Sequence, residues 1–201
     1  MKLGGSLLFL SLVLAVPAVR SAGVDNCDSA VAAQADGGVT PRSVEAAFGP
    51  DGDAEALILR FIAKARCSIR VAAYAFSSPR IVDALAAAAR RGLDVRLVVD
   101  FKHNVAEDNK GIGHRALATM VGAHAAARTN DRYRLLHDKF IVIDNRHVQT
   151  GSYNYAQSAN SNSENVIVSW DNPPLAARYL KHWQSRFDDG VDFGQTARID
   201  P

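Results

Sequence analysis

His137-x-Lys139-x4-Asp144, followed by Gly151-Ser152-x-Asn154, places an imidazole, a lysine cation and two polar donors within eighteen residues. An imidazole can attack phosphorus and later leave it, so one hard displacement becomes two easier ones through a phosphohistidine. The transition state of such a transfer gathers negative charge on the non-bridging oxygens. Lys139, Asn154 and Ser152 are the groups that can donate to it. Taken singly, each residue reads as an ordinary solvated side chain. Together, six fixed positions at these offsets arise by chance in roughly a few chains per million. The joint pattern therefore points to phosphoryl transfer.

The elements that must position these groups follow from the flanking residues. The apolar, β-prone run 140–143 ends at Asp144-Asn145 and reads as a strand entering a turn. A second strand is expected over 147–154. Side chains alternate along a strand, so His137 and Lys139 point to one side together, and Ser152 and Asn154 take the same shared side. With Asn145 and Arg146 as a two-residue loop, Asp144 pairs with His147. That register sets Lys139 opposite Ser152 and His137 opposite Asn154, and one hairpin gathers all four groups.

HDKFIVID followed by GSYN resembles the HKD motif of the phospholipase D superfamily, and more closely the short, single-motif bacterial endonucleases of the Nuc type. The strand–helix segments over 54–101 and the sequence NSEN at 162–165 fit the same pattern. The resemblance implies that His137 is the nucleophile, that Lys139 and Asn154 bind phosphate, and that Glu164 orients the histidine. Ser152 falls at the matching serine, and Asp144 at a motif aspartate whose role looks structural. Members with two motifs draw both histidines from one chain. This chain has one His-x-Lys, so a homodimer sharing an active site on its two-fold axis is expected.

Bulk properties narrow the setting. Lys2, the apolar run 7–16 and the small residues Ala18, Ser21 and Ala22 have the layout of a secretory signal, expected over residues 1–21. The run is too short to span a bilayer. A periplasmic or secreted protein without stable membrane insertion is the expectation. The chain carries 23 Lys and Arg against 21 Asp and Glu, and cleavage after residue 21 removes Lys2 and Arg20, leaving a neutral balance. Bulk charge then cannot hold a polyanion, and a local basic patch is needed. Lys102, His103, Arg132 and Arg134 are the candidates. Cys27 and Cys67 suit a disulfide in an exported chain. No His or Cys set has zinc-site spacing, so a metal-independent enzyme with no cofactor is expected.

Strands alternating with helices predict an α/β fold, a mixed sheet sandwiched by helices, in one domain over 41–201 after a tail at 22–40. Expected elements are strands at 44–48, 68–76, 93–101, 122–128 and 166–170, besides the motif hairpin. Helices are expected at 53–65, 79–91, 109–121 and 173–187, the last with Leu175, Tyr179, Leu180, Trp183 and Phe187 on its core face. Gln157 to Ser163 reads as a polar loop skirting the site. Three functions fit: an endonuclease cleaving DNA or RNA, a phospholipase D-like lipid phosphodiesterase, and a non-catalytic nucleic-acid-binding module. The intact set of four residues argues against the third. The absence of an amphipathic membrane helix favours nucleic acid over lipid.

Overall fold

A computed structural model describes residues 43–196 of the chain. The expected export signal, the tail at 22–40 and Cys27 lie outside the described residues, and Cys67 is half-buried just before the second strand. In chain order the elements are β1 (Val44–Phe48), α1 (Asp53–Ala63), β2 (Ser68–Ala73), α2 (Pro79–Arg90), β3 (Asp94–Asp100), α3 (Ile112–Gly122) and β4 (Ala126–Asn130). Then follow β5 (Lys139–Ile143), β6 (His147–Gly151), β7 (Asn165–Ser169), α4 (Pro173–Asp188), β8 (Val191–Asp192) and a helical turn, Phe193–Thr196. They build one sheet in the order β1-β7-β6-β5-β2-β3-β4-β8. β2, β3 and β4 are parallel; every other pairing is antiparallel.

Strand alternation divides the apolar side chains between two cores. Ile69, Val71, Val95, Leu97, Val99, Ile141 and Ile143 face α1, α2 and α3. Ala72, Val98, Phe140, Val142 and Val148 face α4, which returns Ala176, Trp183 and Phe187. Trp183 is almost fully buried, and its indole N–H donates to the Val71 carbonyl at 2.9 Å, so its one polar atom is satisfied. Helices therefore cover both faces of a mixed sheet, as the alternation of elements predicted.

Several boundaries shift for local reasons. α1 stops at Ala63, because the amides of Arg66, Cys67 and Ser68 turn toward Asp144. α3 begins only at Ile112, where the Asp108 carboxylate accepts the amides of Ile112 and His114 at 3.0 and 2.9 Å. β4 starts later than expected, after His124 reverses the chain with φ 68°. A π-helical turn over Lys102–Ala106 was not anticipated.

The motif hairpin has a different register from the expected one. Phe140 pairs with Thr150 and Ile143 with His147, which leaves a three-residue loop, Asp144, Asn145 and Arg146. Continuing that register sets Lys139 across from Gly151, not Ser152. Asp144 and Asn145 both take left-handed φ values, 52° and 54°, which Asp and Asn tolerate better than most residues. The Asp144 side chain explains the shift. Its oxygens accept the Arg66, Cys67 and Ser68 amides at 3.0, 2.8 and 2.9 Å, so the residue belongs to the turn that locks β5 onto β2.

Three charge-assisted hydrogen bonds on one carboxylate make Asp144 a stability residue. Asp144→Ala should cost about 2–3 kcal/mol and be visible as a lower urea midpoint, while the folded fraction keeps its turnover. An unchanged midpoint would show that the three amides find other partners.

Candidate active site

β2 is the strand at which the sheet changes from parallel to antiparallel. β3 and β4 run with it on one side, and β5 runs against it on the other. The start of β5 consequently meets the carboxyl ends of the parallel strands. Ala73 pairs with Lys139, and the Tyr74 amide donates to the Asp138 carbonyl at 2.9 Å. A crevice at such a switch point is where open α/β sheets bind ligands. His137 sits at its rim, exposed, just before β5 begins.

Tyr74 is shared by the basic groups there. Its ring centroid lies 4.7 Å from that of His137 and 4.5 Å from that of His103, and the Lys139 ammonium is 5.3 Å from the same ring. The Lys139 ammonium also donates to the His137 carbonyl at 2.9 Å, fixing the backbone that carries the imidazole. Burial pushes Lys139 below the ordinary lysine range, and the carboxylates of Asp138 and Glu164 pull it back up. Tyr74 was missed in the sequence, because nothing in the spacing distinguishes it from a strand-end aromatic.

Two buried polar residues hold this arrangement. Asp100, at the end of β3, accepts the His103 amide at 2.7 Å and the Leu136 amide at 2.8 Å. Asn104 donates to the Tyr74 and Asp100 carbonyls at 2.6 and 2.8 Å and accepts the Phe76 amide at 2.9 Å. Both are 1% exposed. Between them they tie together the loops that carry His103, Tyr74 and His137.

Ser152 and Asn154 follow β6 and are aimed by the tyrosines that alternate with them. Tyr153 and Tyr155 are buried, with hydroxyls bonded to Asn160 and Gln149, so Ser152 and Asn154 turn the other way. Gly151 precedes them because a Cβ there would collide with the Asn165 carbonyl. Ser152 bonds β7 through its backbone N–H to the Asn165 carbonyl and through Oγ from the Asn165 amide, both 3.0 Å. Ser152 Oγ also donates to Glu164 at 2.5 Å, and Asn162 reaches the other Glu164 oxygen at 3.1 Å. No hydrogen bond joins Glu164 to His137 among the described residues; the field of Glu164 reaches Lys139 instead. The Asn154 side-chain oxygen is buried and has no hydrogen-bond partner among the described residues.

The remaining candidates divide. His103 belongs to the site through Tyr74. Lys102 lies beside it, ion-paired at 3.3 Å to Glu107. Arg132 is 3.6 Å from Asp189, and Arg134 is exposed; both sit on the loop leading to His137. His147 is at the opposite end of β5 and β6, about 20 Å away along the strand. Burial holds its imidazole below the ordinary histidine range, and its Nδ1 accepts the Asp171 amide at 2.8 Å. It serves the far turn, not the site. Among the described residues no three His, Cys, Asp or Glu side chains gather to hold a metal ion, and no helix is long and apolar enough to cross a membrane.

A family profile described as cardiolipin synthase, PLD-like domain, matches residues 58–187. A phospholipase D of Rickettsia prowazekii (strain Madrid E) is 34% identical over 145 residues, covering 72% of this chain and 67% of that protein. The human mitochondrial cardiolipin hydrolase is 33% identical over 115 residues, covering 57% of this chain and 43% of that protein. The crystal structure of Nuc from Salmonella typhimurium, a phospholipase D family member, superimposes with a TM-score of 0.72 at 39% identity. The overlap covers 75% of this chain and 97% of Nuc. This chain belongs to the phospholipase D superfamily. It is a phosphodiesterase of that superfamily, and its mixed α/β architecture is that of the phospholipase D-like fold.

Asp100 offers a test of how the site is held. Asp100→Asn replaces one of the two acceptor oxygens by a donor facing a backbone amide, which should cost about 1–3 kcal/mol. The displaced His137 loop should lower kcat by about 10–100-fold, with KM little changed. Wild-type kcat in a folded variant would show that the buried carboxylate does not position the imidazole.

Proposed function

We propose that this chain is an exported, metal-independent endonuclease that cleaves phosphodiester bonds of DNA or RNA through a phosphohistidine on His137. The observation that carries the reading is the 39% identity to Nuc with nearly the whole of Nuc covered, joined to the Nuc-type spacing of the motif. In the first step a nitrogen of His137 attacks phosphorus, the bond to the leaving oxygen breaks, and an acid protonates that oxygen. In the second, water attacks the phosphohistidine, releasing the phosphate ester and restoring the imidazole. Lys139 and Asn154 bind the non-bridging oxygens, and Ser152 with Glu164 braces the adjoining strand. Lys139 supplies the positive charge that a metal ion gives other phosphodiesterases.

A lipid substrate is the second reading. Relatives named phospholipase D and mitochondrial cardiolipin hydrolase favour it, and the chemistry at phosphorus is the same for both esters. Plasmid DNA, an RNA oligomer, and cardiolipin and phosphatidylcholine vesicles, each incubated with the mature protein in chelator, separate the two. Nucleic acid should be cut and the vesicles left intact. Hydrolysis of vesicles alone would overturn the nuclease reading, and loss of all activity in chelator, restored by magnesium or zinc, would overturn the metal-independent one.

His137→Ala should abolish turnover with an unchanged urea midpoint, and Lys139→Ala and Asn154→Ala should each cut the rate by about 10²–10³-fold. Wild-type protein quenched in alkaline detergent during turnover should retain a base-stable, acid-labile phosphoryl label that the His137 variant lacks. Activity near wild type without that imidazole would reject the nucleophile.

One His-x-Lys per chain leaves the leaving-group acid unassigned, and the proposal places it on the imidazole of a second copy in a homodimer. Mixing His137→Ala chains with wild type, after proven subunit exchange, should lower activity roughly as the square of the wild-type fraction. A linear decline would establish an independent active site in each chain.

A further inference from the structure

Two clefts open on the α4 face of the sheet and meet at the same three residues. The larger, about 610 Å³, includes His137, Asp138, His182 and Arg178 in its lining. The smaller, about 290 Å³, includes His137, Asp138, His182 and Arg186. His182 and Asp138 are joined at 3.0 Å at the junction, next in sequence to His137. Together the clefts form one groove along α4 that passes the candidate nucleophile.

The helix side of this groove is basic by construction. Arg178, His182 and Arg186 are spaced four residues apart, which stacks them on one stripe about 12 Å long. Lys181 lies beside them, and between Pro173 and Phe187 the helix has no acidic residue. Arg178 is exposed, and among the described residues its guanidinium has no carboxylate within ion-pairing distance. Arg186 lies over the Tyr133 ring at 4.7 Å, which holds its flat face at the mouth of the smaller cleft. The nearby acids are already engaged: Asp138 by His182, and Asp189 by Arg132 and the Tyr133 hydroxyl. A near-neutral chain therefore concentrates positive charge along one line through its reactive centre.

Resting on the nuclease reading above, we infer that this stripe is a backbone track, with Arg178 and Arg186 binding phosphates on either side of the scissile one. A stripe of this length serves a polymer with phosphates in series. A single isolated diester has no second phosphate to place there. The track makes the groove selective for polynucleotide strands over lone phosphodiesters, through charges flanking the chemistry on both sides.

The full chain should be assayed on a fluorescent oligonucleotide and on bis(p-nitrophenyl) phosphate, which has one phosphate. In Arg178→Ala/Arg186→Ala the ratio of kcat/KM for the oligonucleotide to that for the small diester should fall at least tenfold, chiefly through the oligonucleotide KM. The slope of log(kcat/KM) against log salt should shrink by about 1.5, the equivalent of two lost phosphate contacts. Arg178→Lys/Arg186→Lys keeps both charges and should hold the ratio near wild type. A ratio unchanged within twofold in the alanine variant, a parallel loss on both substrates, or a lysine variant as poor as the alanine one would each overturn the track. Wild-type protein that hydrolyses vesicles and leaves the oligonucleotide intact would instead overturn the nuclease reading beneath it.

Discussion

β2 hydrogen-bonds a parallel neighbour on one edge and an antiparallel one on the other, and the site exists because of that difference. Parallel strands bring the ends of β2, β3 and β4 to one rim. The antiparallel β5 brings its beginning to the same rim. Residues 74, 103 and 137 are far apart in the chain, yet each lies immediately past or before a strand end at this junction. Loops at a strand end carry unpaired backbone groups and must find partners. Here Asp100 and Asn104 supply them, and the loops become a fixed constellation.

β5 is anchored at both ends by carboxylates that accept backbone amides. Asp144 accepts three at the far turn, and Asp100 accepts the Leu136 amide just ahead of the strand. These two acids therefore read differently from their sequence positions. Asp144 belongs to the motif and lies remote from the imidazole. Asp100 stands outside the motif and helps set the position of the imidazole. The division follows from geometry: a strand of five residues separates its ends by about 17 Å, so no single side chain can serve both.

Polar groups at the rim are arranged around a cation that is only partly offset. Lys139 is withdrawn from water beside an aromatic face, while Glu164 spends its hydrogen bonds on Ser152 and Asn162. The carboxylate thus acts on the lysine through space and on the neighbouring strand through contact. Among the described residues the exposed His137 imidazole has no hydrogen-bonded carboxylate of its own. The basic face of α4 extends the same positive potential away from the rim, in a chain whose net charge would not reveal it.

The superfamily motif and the fold class were legible in the residues themselves. His137, Lys139, Ser152 and Asn154 stand at fixed offsets, and hydrophobic periodicity placed every long helix and all the strands except the two-residue β8. Both depend on local order along the chain. The hairpin register escaped, because the choice between a two- and a three-residue loop turned on Asp144 reaching amides 76 to 78 residues away. Tyr74, Asp100, Asn104 and His182 escaped for the same reason. Each is an unremarkable residue type at its own position, and acquires a role only when strand ends from distant parts of the chain converge. Residue spacing singled out the groups proposed to do the chemistry. Which backbone amides, rings and carboxylates hold them there was decided by long-range pairing, since burial and hydrogen-bond partners are properties of the packed sheet and not of the chain.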